Sequence, residues 1–395
     1  MKNLKKQTGN GSSYSRGLAR GSVLAKERLL APDLARGFML LIIALAHAPL
    51  LLDRQDGGGV IDKAVNFVSI LFVDNRGLPL FAILLGYGLA MMVNRQLSAG
   101  TLEVESKRLL RRRGSFLLLF GFVHTVIIGG IDILAFYGFS TLLIGWILFR
   151  QNRVLNRAIL LVSLFFLFLL PVVWMGMAHV MNASGVSMET LGQSNSESYI
   201  ETTLFNLISF PFMILIQLFM YPMLLPILIG VWAARHNLLL VGNRKHLVRI
   251  AVIGTSISIL GGLPLALDGT PLWSSSPTIE GLFIALQMIT GLAGGIGYAA
   301  IFGLVGSIVS RTGLMVRSLT ALGQRSLTFY VFIEALLVIT LSPVGFGLGQ
   351  VLNSTGAVII AVFVWLTSLL LAMMMEYKGM RGPLDALLRR LIYRS

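Results

Sequence analysis

Residues 28–47 read RLLAPDLARGFMLLIIALAH, and the class of the protein follows from that stretch. After a basic flank, Pro32 falls in the first turn of a helix, where its missing N–H costs nothing. Asp33 accepts the free N–H groups of that turn and suits the positive end of the helix dipole. Arg36 follows Asp33 by one turn, so the two are expected to form a structural pair. From Gly37 the run is apolar as far as His47, ~16 Å beyond Arg36 along a helix axis. One helix therefore carries a charge pair near one face of a bilayer and an imidazole deep toward the other.

The rest of the chain is built to match. Of its 395 residues, 55% are hydrophobic and only 12% charged, about half the charge of a soluble protein. The apolar runs are near 20 residues long and show no alternating pattern of a barrel, so helices are expected to span the bilayer. The expectation is an all-α polytopic membrane helix bundle of about ten transmembrane helices. They are placed at 34–52, 77–94, 114–130, 132–149, 158–177, 204–234, 248–267, 281–308, 326–342 and 355–375. Residues 204–234 exceed one upright span and are read as one long helix bent at Pro211, Pro222 and Pro226. With the N-terminus inside, 28 of the 32 Lys and Arg fall on one side, which puts both termini in the cytoplasm. The net charge of +15 is thus topological, with anionic cytoplasmic headgroups of the lipid bilayer as its partner and no nucleic acid expected.

Residues 1–27 are polar, basic and rich in Gly and Ser, and are expected to be a disordered cytoplasmic tail. No apolar core precedes Pro32, so a cleavable signal peptide is not expected. Residues 28–395 form a single membrane domain. The outer loop after the first span holds a short interfacial or re-entrant helix, with Asp53, Asp56, Asp62 and Asp74 expected to face water. Cysteine is absent, which removes thiolate chemistry and disulfides. No HExxH or close His pair exists, so no metal is expected.

Ionisable groups within spans are expensive and are functional candidates by default. The alternative for each is interhelical glue, a neutral side chain bonded to a neighbouring helix. The candidates are Arg36, His47, His124 and Glu334, with Asp33, Arg76 and Asp132 at span edges. His124 and Asp132 flank the Gly129-Gly130 turn of a helical hairpin, close enough for the carboxylate to reach the imidazole. Asp132 is equally suited to capping the second helix. Arg108, Arg111 and Arg112, in the basic connector EVESKRLLRRR (103–113), fit a surface helix on anionic headgroups or a phosphate site.

Several of these stretches occur together and in order: DLARG (33–37), LFAILLGYG (80–88), GFVH (121–124), DILAFY (132–137), GQRSLTFY (323–330) and RGPL (381–384). In that combination the chain resembles the YeiB-like bacterial membrane proteins, whose C-terminal half, here roughly 220–395, is domain of unknown function 418. Their first helices are similar to those of membrane acyltransferases that use cytoplasmic acyl-CoA to modify a sugar or lipid across the membrane. The Arg36 to His47 spacing matches the arginine–histidine motif of the acyltransferase-3 type, and His124 fits the family's own Gly-Phe/Leu-x-His pattern. The resemblance implies a multi-pass protein of the bacterial plasma (inner) membrane.

Two functions follow as expectations. The first is an acyltransferase, with acyl-CoA as donor and no permanently bound cofactor. His47 or His124 would act as general base, Asp132 would orient an imidazole, and Arg36, Arg76, Arg108, Arg111, Arg112 and Glu334 would bind substrate. The acceptor is an extracytoplasmic sugar, lipid or small molecule. The second is a transporter or exporter of a small polar or amphipathic solute, for which 42 glycines and a buried Glu334 are suited.

Overall fold

A computed structural model describes residues 30–53, 59–184, 198–238, 244–270, 273–309 and 313–393. The expected tail at 1–27 and Asp56 lie outside these residues. Every named element is helical: α1 Leu30–His47, α2 Val60–Phe72, α3 Gly77–Ser98, α4 Glu103–Val123, α5 Leu134–Ile144, α6 Asn152–Ser184, α7 Tyr199–Met220, α8 Leu224–Arg235, α9 Arg244–Leu267, α10 Pro277–Ile308, α11 Leu314–Gln324, α12 Ser326–Leu341, α13 Ser354–Tyr377 and α14 Pro383–Tyr393.

Helix α1 runs through the middle of the bundle, packed against α3, α10, α11, α12 and α13. Its apolar residues answer this position: Met39, Leu40 and Ala44 are wholly buried. The closest approach is to α11, and it depends on two glycines. Gly37 sits under the Leu319 carbonyl and Gly323 under that of Asp33, and a Cβ on either would strike backbone. The Trp365 indole N–H of α13 donates to the Gly37 carbonyl at 3.2 Å, which ties a third helix to the same point. Around this core, α6, α7 and α9 turn Leu161, Phe168, Val172, Ile208, Phe212 and Leu260 outward. Such a surface is stable in lipid and not in water.

Among the described residues, seven helical stretches are long and apolar enough to cross a membrane, or eight if α11 and α12, bent by 88°, count as one span. The expected ten spans are therefore not confirmed by length and composition. Helix α4 spends its first turns on the cations of 103–113, and α5 has only 11 residues before a tighter turn at Gly145–Phe149. The stretch 204–234 is two helices rather than one bent one. The chain breaks at Tyr221–Met223, beside Pro222, which supplies no N–H to continue the ladder. Helix α7 lies alongside the turn after α4: Tyr199 donates to the Ile127 carbonyl at 2.8 Å and Gln217 to that of Asp132 at 2.8 Å.

The helix at 60–72 is present, but two of its expected water-facing acids are engaged. Asp62 is buried, accepting from Asn353 Nδ2 at 3.0 Å and from the Thr355 N–H at 3.0 Å, so it pins α2 to the start of α13. Asp74 accepts from Ser69 Oγ at 2.9 Å. Asp53 is exposed as expected.

Candidate functional site

Two imidazole–carboxylate pairs lie inside the bundle. His47, the last residue of α1, places Nδ1 2.6 Å from Glu334 Oε1 of α12, and both side chains are buried. His124 opens a π-type turn at the end of α4, which Gly129 closes in the left-handed region with φ of 77°. The chain returns through Gly130 to Asp132, whose Oδ1 lies 3.2 Å from His124 Nδ1. That is close enough for an ion pair, although the two atoms are not aligned as a hydrogen bond. The same carboxylate caps α5, accepting from the N–H groups of Leu134 at 3.2 Å and Ala135 at 2.6 Å. Asp132 thus serves as helix cap and imidazole neighbour at once.

Tyr330 holds this turn in place. Its hydroxyl donates to the Ile131 carbonyl at 2.6 Å and accepts from the Ile133 N–H at 3.1 Å, one bond on each side of Asp132. Its ring lies 5.5 Å from that of His124. The two pairs meet at Gly130. A Cβ there would lie 3.1 Å from His124 Nε2 and 3.3 Å from Glu334 Cβ. Both His124 Nε2 and Glu334 Oε2 are buried without a hydrogen-bond partner. Leaving a buried polar atom unpaired costs about 1–3 kcal/mol, so two at one point mark a place where structure is sacrificed to something else.

Two clefts are open among the described residues, and only the first shares residues with this column. One, of about 130 Å³, is floored by Thr125 and Gly129–Asp132 and walled by α7 through Thr202, Asn206, Ser209, Phe210 and Gln217. Its lining mixes hydroxyl and amide groups with apolar side chains and two acids, Asp53 and Asp132. Asp132 and Gly130 reach it; neither imidazole does. The other cleft, of about 390 Å³, is lined by Arg113, Arg325, Arg381 and Arg389 with Glu376 and Asp385. Burial, with the neighbouring Arg36 charge second, lowers the proton affinity of Arg113. Burial likewise raises the Asp385 carboxyl above its ordinary range, against the pull of its Thr328 and Leu327 donors.

The remaining candidates separate cleanly. Arg36 pairs with Asp33 at 3.3 Å, the expected one-turn bridge. Arg108 and Arg111 are exposed, and Arg112 reaches the Ile392 carbonyl at 3.4 Å; none of the three lines the basic cleft, whereas their neighbour Arg113 does. Arg76, a candidate for binding substrate, is wholly buried and spent on the protein. It donates to Ser258 Oγ at 2.9 Å and to the carbonyls of Ile70 at 2.6 Å, Asp74 at 2.5 Å and Ser258 at 2.8 Å. It fastens the α2–α3 junction to α9 and lines neither cleft. Among the described residues no group of three His, Asp or Glu is placed to hold a metal ion. Tyr330, Gly130 and Arg113 are the members that the candidate set lacked. The Gly-Gly turn between His124 and Asp132, and Tyr330 one turn before Glu334, were the signals available for two of them.

Residues 233–395 match the family described as protein of unknown function (DUF418). The C-terminal region is a DUF418 domain. This agrees with the resemblance to YeiB-like proteins carried by the motifs. Over 163 residues the chain is 31% identical to a Bacillus subtilis (strain 168) protein described as uncharacterized protein YxaH. The aligned part covers 38% of this chain and 39% of that relative, so the chain spans well under half of the relative's length. No solved structure matches. The site straddles the boundary of the DUF418 domain: Tyr330 and Glu334 lie within it, and His47, His124 and Asp132 precede it.

Proposed function

We propose that the protein is a membrane acyltransferase of the bacterial inner membrane, carrying an acyl group from cytoplasmic acyl-CoA to a hydroxyl or amine outside. The observation that carries this reading is the buried His124–Asp132 pair set directly behind a cleft whose polar lining is hydroxyl and amide groups with Asp53 and Asp132. In this reading the basic cleft faces the cytoplasm and the other cleft the outer side, which the excess of Lys and Arg in one set of loops supports. An anionic donor suits the first and a polyhydroxyl acceptor the second.

In the proposed step the Asp132 carboxylate, 3.2 Å from His124 Nδ1, stabilises the charge the ring gains when Nε2 accepts a proton. Nε2 takes the proton of the acceptor group as that group attacks the thioester carbonyl. The new bond to the acyl carbon forms, the carbon–sulfur bond breaks, and the departing thiolate receives a proton. Glu334, whose Cβ approaches the same glycine and whose carboxylate has one oxygen on His47 and the other unpaired, would pass that proton. Gly130 covers Nε2, so the acceptor reaches the base only when this residue moves aside. Mass spectrometry of envelope glycans and lipids tests the reading. A strain lacking the protein should miss an acyl mass that the parent carries, and the His124→Gln protein should not restore it. An unchanged envelope would refute it.

One observation favours a second reading, proton-coupled transport of a small polar solute. Neither imidazole lines a cleft, and a shielded row of His47, Glu334, His124 and Asp132 suits relay of protons. Uptake of solute into proteoliposomes without covalent change would favour this reading over the first.

A further inference from the structure

The two stretches GQRSLTFY (323–330) and RGPL (381–384) are far apart in sequence, and apart from Tyr330 neither contributes to the imidazole–carboxylate column. They meet instead at the basic cleft. Asp385, in the first turn of α14, accepts from the Thr328 N–H at 3.1 Å, from Thr328 Oγ1 at 2.7 Å and from the Leu327 N–H at 3.4 Å. It therefore caps α12 from a different helix. Thr328 Oγ1 in turn accepts from the Leu384 N–H at 3.1 Å. Beside them Arg325 pairs with Glu376 at 2.8 Å and donates through Nε to the Met380 carbonyl at 3.0 Å. These bonds fix α14 as one wall of the cleft.

They also decide its charge. The cleft is lined by four arginines and two acids, and each acid is already engaged, Glu376 by Arg325 and Asp385 by the start of α12. The balance is positive, and Arg113 contributes a buried Nε that has no partner. We propose that this cleft is a binding site for a phosphate group, completed by α14, which the two motif stretches hold in place. Arg325 spends its fork on Ala321, Met380 and Glu376, so Arg113, Arg381 and Arg389 are the guanidinium groups around the recess of about 390 Å³ that match the acceptor oxygens of a phosphate. The same group is offered by a soluble nucleotide and by an anionic lipid headgroup. The site follows from the cleft alone; if its ligand is the nucleotide, it deepens the acyl-transfer reading by fixing where the donor docks.

The test uses the full chain in nanodiscs. In one arm, coenzyme A and adenosine 3′,5′-bisphosphate are titrated by calorimetry into protein in neutral phosphatidylcholine. In the other, melting temperature is compared between phosphatidylcholine and phosphatidylglycerol discs. Arg113→Gln and the exposed Arg381→Gln are measured in both, so that a folding failure of the first leaves the second to decide. Saturable binding that weakens with salt, and about tenfold in the variants, supports the site with a nucleotide ligand. No such binding, but a phosphatidylglycerol-specific stabilisation that the variants lose, supports it with a lipid ligand. Absence of both effects, or effects equal in wild type and variants, overturns it. Because binding is read without any acyl group present, transfer can fail while the site stands, and transfer that survives both variants would show the site to be separate from it.

Discussion

Arg76 and Glu334 are both ionisable side chains buried within the bundle, at 0% and 1% exposure, yet their surroundings differ in kind. Arg76 donates to three carbonyls and a hydroxyl and bridges the α2–α3 junction to α9. Glu334 makes one bond to His47 and leaves its second oxygen without a partner, and its side chain shares the neighbourhood of Gly130 with His124, whose Nε2 is also unpartnered. A buried charge whose bonds are complete holds helices together. One whose bonds are incomplete costs stability without return, and the incomplete cluster is the one that faces a cleft through Gly130 and Asp132. Burial alone therefore does not distinguish a site from a fastening; the state of the remaining lone pairs and protons does.

That contrast can be broken most forcefully at Arg76. Replacing it by Met strands the acceptors it served and should cost about 3–5 kcal/mol, seen as a collapse of melting temperature and yield in detergent. A well-folded Arg76→Met protein would remove the distinction. Tyr330→Phe loses both bonds that flank Asp132 and should cost about 2 kcal/mol in chemical denaturation while releasing the turn that aims the carboxylate. Ser258→Ala removes one of the four acceptors of Arg76 and should lower stability by about 1 kcal/mol, with function intact. At the far end of the scale, Glu334→Gln keeps a bond to His47 and should change stability by less than ~1 kcal/mol. Its effect should fall on function instead, and a variant with full activity would place Glu334 with the fastenings.

Local features were legible in the sequence and distant ones were not. The Asp33–Arg36 bridge is set by a spacing of one helical turn, and the Asp132 cap beside His124 by the short Gly129-Gly130 hairpin turn, both readable locally. The His47–Glu334 bond spans 287 residues, and only the docking of α12 on α1 creates it. Arg76 looked like a binding group because three of its acceptors are backbone carbonyls, which leave no trace in residue identity. Among the cations of 103–113, Arg112 meets α14 at the Ile392 carbonyl while Arg113 lines the cleft, a choice of helical phase that composition does not record. Hydropathy found the apolar stretches but not their interruptions, so the break at Tyr221–Met223 and the shortness of α5 were missed.

The most direct test of the buried His124–Asp132 pair as the reacting centre is transfer in proteoliposomes loaded with radiolabelled acyl-CoA, with candidate acceptors outside. The expected result is stoichiometric release of coenzyme A and appearance of label on the external acceptor, abolished by His124→Gln at an unchanged melting temperature. Label transfer that survives His124→Gln, or solute movement with no release of coenzyme A, would contradict it.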